Sequence, residues 1–203
     1  MQIGLTVHQQ PSLEATLAEF ERAEQLGVTT AWFPQTMGFD ALGVLGLAAG
    51  RTASVRLGTA VIPTYPRHPV QAAQAAQVTG AAAGGRFVLG VSNGHRAWVE
   101  GHYGLPFDRP VRHAREWVRV VRSLLAGERV AAADSIFGID AQLPARGPAV
   151  PVVLAATGPQ LLAVGSEVAD GVLTWLCDEE YLREIAVPAI ARGARRAGRP
   201  RRP

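Results

Sequence analysis

Short apolar runs alternate with helix-spaced segments along most of this chain. Residues 3–7 read as a strand. Ser12 is then placed to cap a helix, with Glu14 favourable in its first turn and Gly27 placed to stop it. Leu13, Leu17 and Phe20 give that helix one apolar face. Residues 29–33 form a second strand ending at Pro34, and Asp40 caps a helix over 41–49. A third strand, 55–62, breaks at Pro63, and Pro69 suits the first position of a helix over 70–79. Residues 87–91 are a fourth strand, apolar enough to be buried.

The rhythm breaks over 96–150. That stretch holds one arginine-studded helix, 111–125, and a polar segment, 134–140, that predicts a small hairpin. The alternation then resumes with a strand at 152–155, a helix over 160–168, a strand at 172–175 and a last helix over 179–195. Six β/α units with short links predict a parallel sheet. Periodicity leaves an open doubly wound sheet and a closed barrel both standing. An eightfold barrel takes about 250 residues, and this chain has 203.

With 48% hydrophobic and 18% charged residues the chain is globular rather than disordered. Its longest apolar stretch, 41–50, is too short to span a bilayer. The opening residues lack the basic and long apolar regions of a secretory leader. Cys177 is the sole cysteine, so no disulfide framework or cysteine zinc site is expected, and a reducing cytoplasm fits. All twenty basic residues are arginine, and five of them fall in 193–203, which holds no acid. Removing those five charges from a net charge of +3 leaves −2 on the body, so no basic face is available to follow a nucleic acid. The reading is one domain over 1–192 and a disordered basic tail over 193–203.

Ligands bind at the carboxyl ends of strands in parallel α/β proteins. The fourth strand runs straight into Ser92, Asn93, Gly94 and His95, so these residues are candidates for a site. A tight turn needing only Gly94, and a surface or capping His95, fit the same residues. Ala156, Thr157, Gly158 and Pro159 open a helix whose free N–H groups suit a phosphate, and they serve plain capping equally well. His8, Gln35 and Trp175 lie at or just past strand ends; His8 and Gln35 can line a pocket, and Trp175 a pocket or the core. His68 reads as structural. His102 and His113 read as a solvated face within reach of a substrate. No His, Cys or carboxylate spacing suggests a metal, and no nucleotide glycine loop or nucleophile elbow is present.

Several motifs together resemble the luciferase-like monooxygenase superfamily, and within it the coenzyme F420-dependent oxidoreductases of actinobacteria. They are AWFPQ from Ala31, GFDAL from Gly38, LGTAV from Leu57 and RHP from Arg67. The run into Gly94 and His95 follows, with VEGHYGL from Val99, RPVRH from Arg109, AATGP from Ala155 and ADG from Ala169.

The resemblance implies a (β/α)8 barrel with an insertion between the fourth and fifth strands, matched here by 96–150. Six of the eight units are present, so the resemblance implies a C-terminally truncated chain. It places a deazaflavin ring against a bulge in the third strand with a non-proline cis peptide, by position Ala60-Val61. It gives Ser92, Asn93, Gly94 and His95 to the ring and its side chain; Ala156 to Pro159, by their free N–H groups, are then candidates for the cofactor's phosphate or side chain. His95 can then hydrogen-bond a carbonyl or relay a proton as hydride moves. The implied function is F420-dependent hydride transfer with a small organic substrate. FMN-dependent monooxygenation with O₂ and a flavin or F420 reductase partner is the alternative, as is a truncated, non-catalytic cofactor binder. A homodimer is the implied assembly. Some members place a proton-donating histidine after the second strand; Gln35, Thr36 and Met37 stand there, so that mechanism does not carry over.

Overall fold

The structure, a computed structural model, describes residues 3–144 and 147–198. β1 (Gly4–Thr6) leads to α1 (Leu13–Gln25), and β2 (Thr30–Phe33) to α2 (Ala41–Ala49). β3 (Arg56–Thr59) and its continuation β4 (Ile62–Pro63) lead to α3 (Pro69–Ala82). β5 (Phe87–Ser92) is followed by α4 (Arg96–Tyr103), α5 (Pro110–Leu125) and a hairpin of β6 (Arg129–Ala132) and β7 (Ile139–Gln142). β8 (Val152–Ala155) leads to α6 (Pro159–Val168). β9 (Gly171–Leu173) leads to α7 (Glu179–Tyr181), which runs through a π-helical turn, Leu182–Ala186, into α8 (Val187–Arg196).

The main sheet is parallel, in the order β1-β2-β3-β5-β8-β9, with β4 also pairing β5. It is a curled half-barrel of six β/α units with the insertion after the fourth. Strand alternation sends Phe33, Leu57, Leu89 and Leu154 outward, where helices bury them. Neighbouring helices pack in chain order around that outer face: α1 on α2, α2 on α3, α3 on α5, α5 on α6, α6 on α8. The helix starts are held as the sequence predicts. Ser12 Oγ accepts from Ala15 N at 3.1 Å, and Asp40 Oδ1 from Gly43 N at 2.9 Å. His68, read as structural, caps α3 by accepting from Val70 N.

Several details differ from the sequence reading. The hairpin is wider, from Arg129 to Gln142, because its strands lie outside the polar turn that signals it. α4 carries too little apolar periodicity to predict, with Val99 its one buried residue; an Arg96–Glu100 pair and a left-handed Gly104 cap define it. The third strand is interrupted at Ala60 and Val61. The last helix widens before Pro188, which has no N–H to give the preceding turn. The predicted tail boundary at 192 falls inside α8, where Gly193 is buried against Ala163; residues 199–203 of that tail lie outside the described residues. Among the described residues no helix is long and apolar enough to cross a membrane.

Candidate functional site

Parallel register carries every strand's carboxyl end to one end of the sheet. Leu89, Gly90 and Val91 pair with Val152, Val153 and Leu154, so residues 92–95 and 156–159 leave on the same side. His8, Gln35 and Trp175 emerge there too. His8 and Trp175 follow β1 and β9, the strands at opposite ends of the sheet order.

The third strand is built around a break. The Ala60-Val61 peptide is cis, at the position the family resemblance implies. Ladder pairing of β3 with β5 ends at Gly58 and Val88, and Thr59 Oγ1 takes over. It accepts from Gly90 N at 2.8 Å and donates to Gly90 O at 2.7 Å. A Cβ on residue 90 would strike the Thr59 carbonyl oxygen, so the close approach requires glycine. On the other side, Ala60 N donates to Phe33 O and Gln35 N to Val61 O, at 2.9 and 3.2 Å. Pairing resumes with Ile62 opposite Val91 and Pro63 opposite Ser92.

The same alternation turns Gly58, Ala60, Gly90, Ser92, Val153 and Ala155 toward the hollow of the half-barrel. These are small residues, and they leave a low wall. Trp32 rises from it and lies across Gly4 and Gly58, where any Cβ would meet its ring; by the same register Val88 and Leu173 also face the hollow. In the sequence Trp32 stands within the AWFPQ motif; its glycine partners are set by register.

At the end of β5, Ser92 is half-buried and its Oγ accepts from Gly94 N at 3.1 Å, with Gly94 at φ 75°. Asn93 is buried. Its Nδ2 donates to Pro110 O at 2.9 Å and its Oδ1 faces Thr64 Oγ1 at 3.3 Å. The Asn93 side chain is therefore a brace between β5 and α5, and only its backbone is left for a ligand. His95 is exposed at the start of α4; no protein group caps through its ring. Gln35, expected in the pocket, is engaged with its own loop: Oε1 accepts from Ala41 N, and Nε2 donates to Thr36 O and Phe39 O. His8 and Trp175 are exposed.

Gly158 caps α6 without any side-chain bond, and Pro159 occupies the first turn. Thr157 and Gly158 are exposed, and nothing lies within 4 Å of where a Gly158 Cβ would stand. Tyr181 Oη donates to Thr157 O, fixing the loop from behind. Ala156 is buried below it. The open N-terminus suits an anionic group.

Beside this end of the sheet lies a cavity of about 440 Å³, lined by Tyr65, Leu105, Pro106, Asp108, Arg109, His113, Ile136 and Phe137. His113 corrects the sequence reading: it is 6% exposed, not on a solvated face. Its Nε2 lies 3.1 Å from Thr64 Oγ1, and its ring stacks on Tyr65 at 3.8 Å and 1°. Burial pushes its pKa down to about 4, against the opposing pull of Glu116 and of the Thr64 backbone. His102 is exposed and packs on Trp98. Among the described residues no cluster of three His, Cys, Asp or Glu is placed to hold a metal.

The luciferase-like monooxygenase family profile matches residues 1–203. This chain belongs to that family. The luciferase-like chain is 40% identical over 167 residues to an F420-dependent glucose-6-phosphate dehydrogenase of Beutenbergia cavernae, covering 78% of this chain and 49% of that one. It is 32% identical over 179 residues to a 5,10-methylenetetrahydromethanopterin reductase of Methanolobus tindarius, covering 87% and 54%. It superposes with a TM-score of 0.83 and 25% identity on the coenzyme F420-dependent tetrahydromethanopterin reductase of Methanopyrus kandleri, over 98% of this chain and 62% of that one. An FMN-bound type II Baeyer-Villiger monooxygenase of Pseudomonas putida shares the fold, with a TM-score of 0.77 at 13% identity. The chain spans about half the length of the curated relatives it matches.

Proposed function

We propose that this chain binds coenzyme F420 and belongs to an oxidoreductase that moves a hydride between the deazaflavin ring and a small organic substrate. What carries the reading is similarity, at 31% and 40% identity, to relatives named for F420 dependence. The residues present fit such a group. The cis bulge at Ala60 and Val61, with Gly90 and Ser92 beside it, gives a low wall for a planar ring. The uncapped start of α6, with Thr157 and Gly158 exposed, suits the anionic end. Bound there, the deazaflavin supplies the hydride chemistry. The protein's share is to hold ring and substrate together and to manage a proton. Among residues 92–95, His95 is the one with a free titratable side chain, suited to hydrogen-bond a substrate carbonyl oxygen or give it a proton.

Separate titrations of the protein with F420 and with FMN, followed by absorbance and fluorescence, test this. Saturable F420 binding at least about tenfold tighter than FMN is the expected result. Equal or tighter FMN binding would move the chain to the flavin monooxygenases. Binding without turnover would leave a non-catalytic cofactor binder. His95→Ala is expected to lower turnover more than cofactor affinity; the reverse split would make His95 a binding residue.

A further inference from the structure

We propose that His113 is the positioning residue of this site: from the outer helix layer it fixes, through Thr64 and Asn93, the turn that follows β5. The inference rests on reading residues 92–94 as part of the cofactor's wall.

The hydrogen bonds run in one direction. Asn93 Nδ2 donates to Pro110 O at 2.9 Å, so its Oδ1 is the end that faces Thr64. That oxygen only accepts, so Thr64 Oγ1 gives it its single proton across 3.3 Å. Thr64 Oγ1 must then accept from His113 Nε2, 3.1 Å away, which fixes the protonated nitrogen of the neutral ring. Thr64 N also donates to Ser92 O at 2.8 Å. Thr64 thus grips both Ser92 and Asn93, and His113 orients Thr64.

His113 is itself immobilised. Tyr65 lies flat against it, Phe107 covers the other side of Tyr65 at 4.8 Å, and Phe137 meets the imidazole edge-on at 5.4 Å. Tyr65 Oη donates to Asp108 O at 2.5 Å. The stack joins the loop after β4, the 105–109 segment, α5 and the hairpin turn. A hydrocarbon ring would fill this place without the desolvation cost of imidazole. What imidazole adds is the donor to Thr64.

The test separates packing from that donor. His113→Phe keeps a flat ring in the stack and removes the donor. Thr64→Val keeps shape and removes the relay, while Thr64→Ser restores it. Both His113→Phe and Thr64→Val are expected to weaken F420 affinity about tenfold, since a small misplacement of a binding group is costly. The double variant should be no worse than either, because both cut one chain. Thr64→Ser should bind as the unaltered protein does. Hydrogen exchange gives a readout without cofactor: the Asn93 side-chain amide and Gly94 backbone amide should exchange faster in both variants, with core β5 amides unchanged. Additive losses, or unaltered exchange at Asn93 and Gly94, would overturn the proposal. If the unaltered protein binds no F420 while exchange responds as described, the cofactor reading fails and the positioning role stands.

Discussion

At the scale of single residues, two titratable groups tie this fold to pH. His113 is held neutral by burial, with its pKa near 4 against 6.5 when free. Between those values the unfolded chain takes up a proton that the native chain refuses. Native stability therefore falls as pH falls through that window, by about 2 kcal/mol between pH 7 and pH 5. Urea unfolding at the two pH values checks this, and His113→Phe should flatten the difference. Glu24 works in the opposite chemical sense. Its carboxylate accepts from the backbone N–H groups of Val55, Ser54 and Ala53 and from the Ser54 hydroxyl, which lowers its pKa to about 2. That contribution is full above pH 4.5 and is lost as pH falls toward 2. Solvent screening limits it, so Glu24→Gln should cost about 1 kcal/mol at pH 7, read from the urea midpoint.

At the scale of elements, close approaches of backbone decide what glycine does. Gly90 lets β5 pass the Thr59 carbonyl where β3 breaks, and Gly193 lets α8 settle on Ala163 of α6. Ala at either position puts a methyl group into backbone that cannot move aside. Each substitution should cost about 3 kcal/mol by denaturant unfolding. Gly158 is the contrast: it has extended dihedrals, φ −84° and ψ 145°, and open space around it. Gly158→Ala should change stability by less than about 0.5 kcal/mol. A loss there as large as at Gly90 would show that the α6 start is packed rather than open. The ion pairs between α5 and α6 follow similar local logic. Glu167, at the end of α6, meets Arg115 and Arg119, and Asp170, just past that end, meets Arg122, so α5 is pinned to the carboxyl end of α6.

At the scale of the whole molecule, order in the sheet is graded from its middle outward. β3 and β5 have strands on both sides, whereas β1 and β9 each pair on one side. Hydrogen exchange on the 203-residue chain should protect Leu57 and Leu89 most, and Leu5 and Val172 least. Equal protection across all six strands would mean that the two outer strands are paired, for instance with a second copy of the chain. Period and punctuation in the sequence determined the β/α order, the helix caps at Ser12 and Asp40, and the segments that gather at one sheet end. Those features rest on local hydrogen bonds and on side-chain alternation, which a sequence shows directly. The family motifs added the bulge at Ala60 and Val61. Tertiary structure alone decided the rest. Asn93 became a brace because its partner, Pro110 of α5, arrives by folding. His113 left the solvated face because Tyr65 and Phe137, far away in sequence, close over it. A polar side chain's role depends on which groups meet it, and long-range packing sets that meeting.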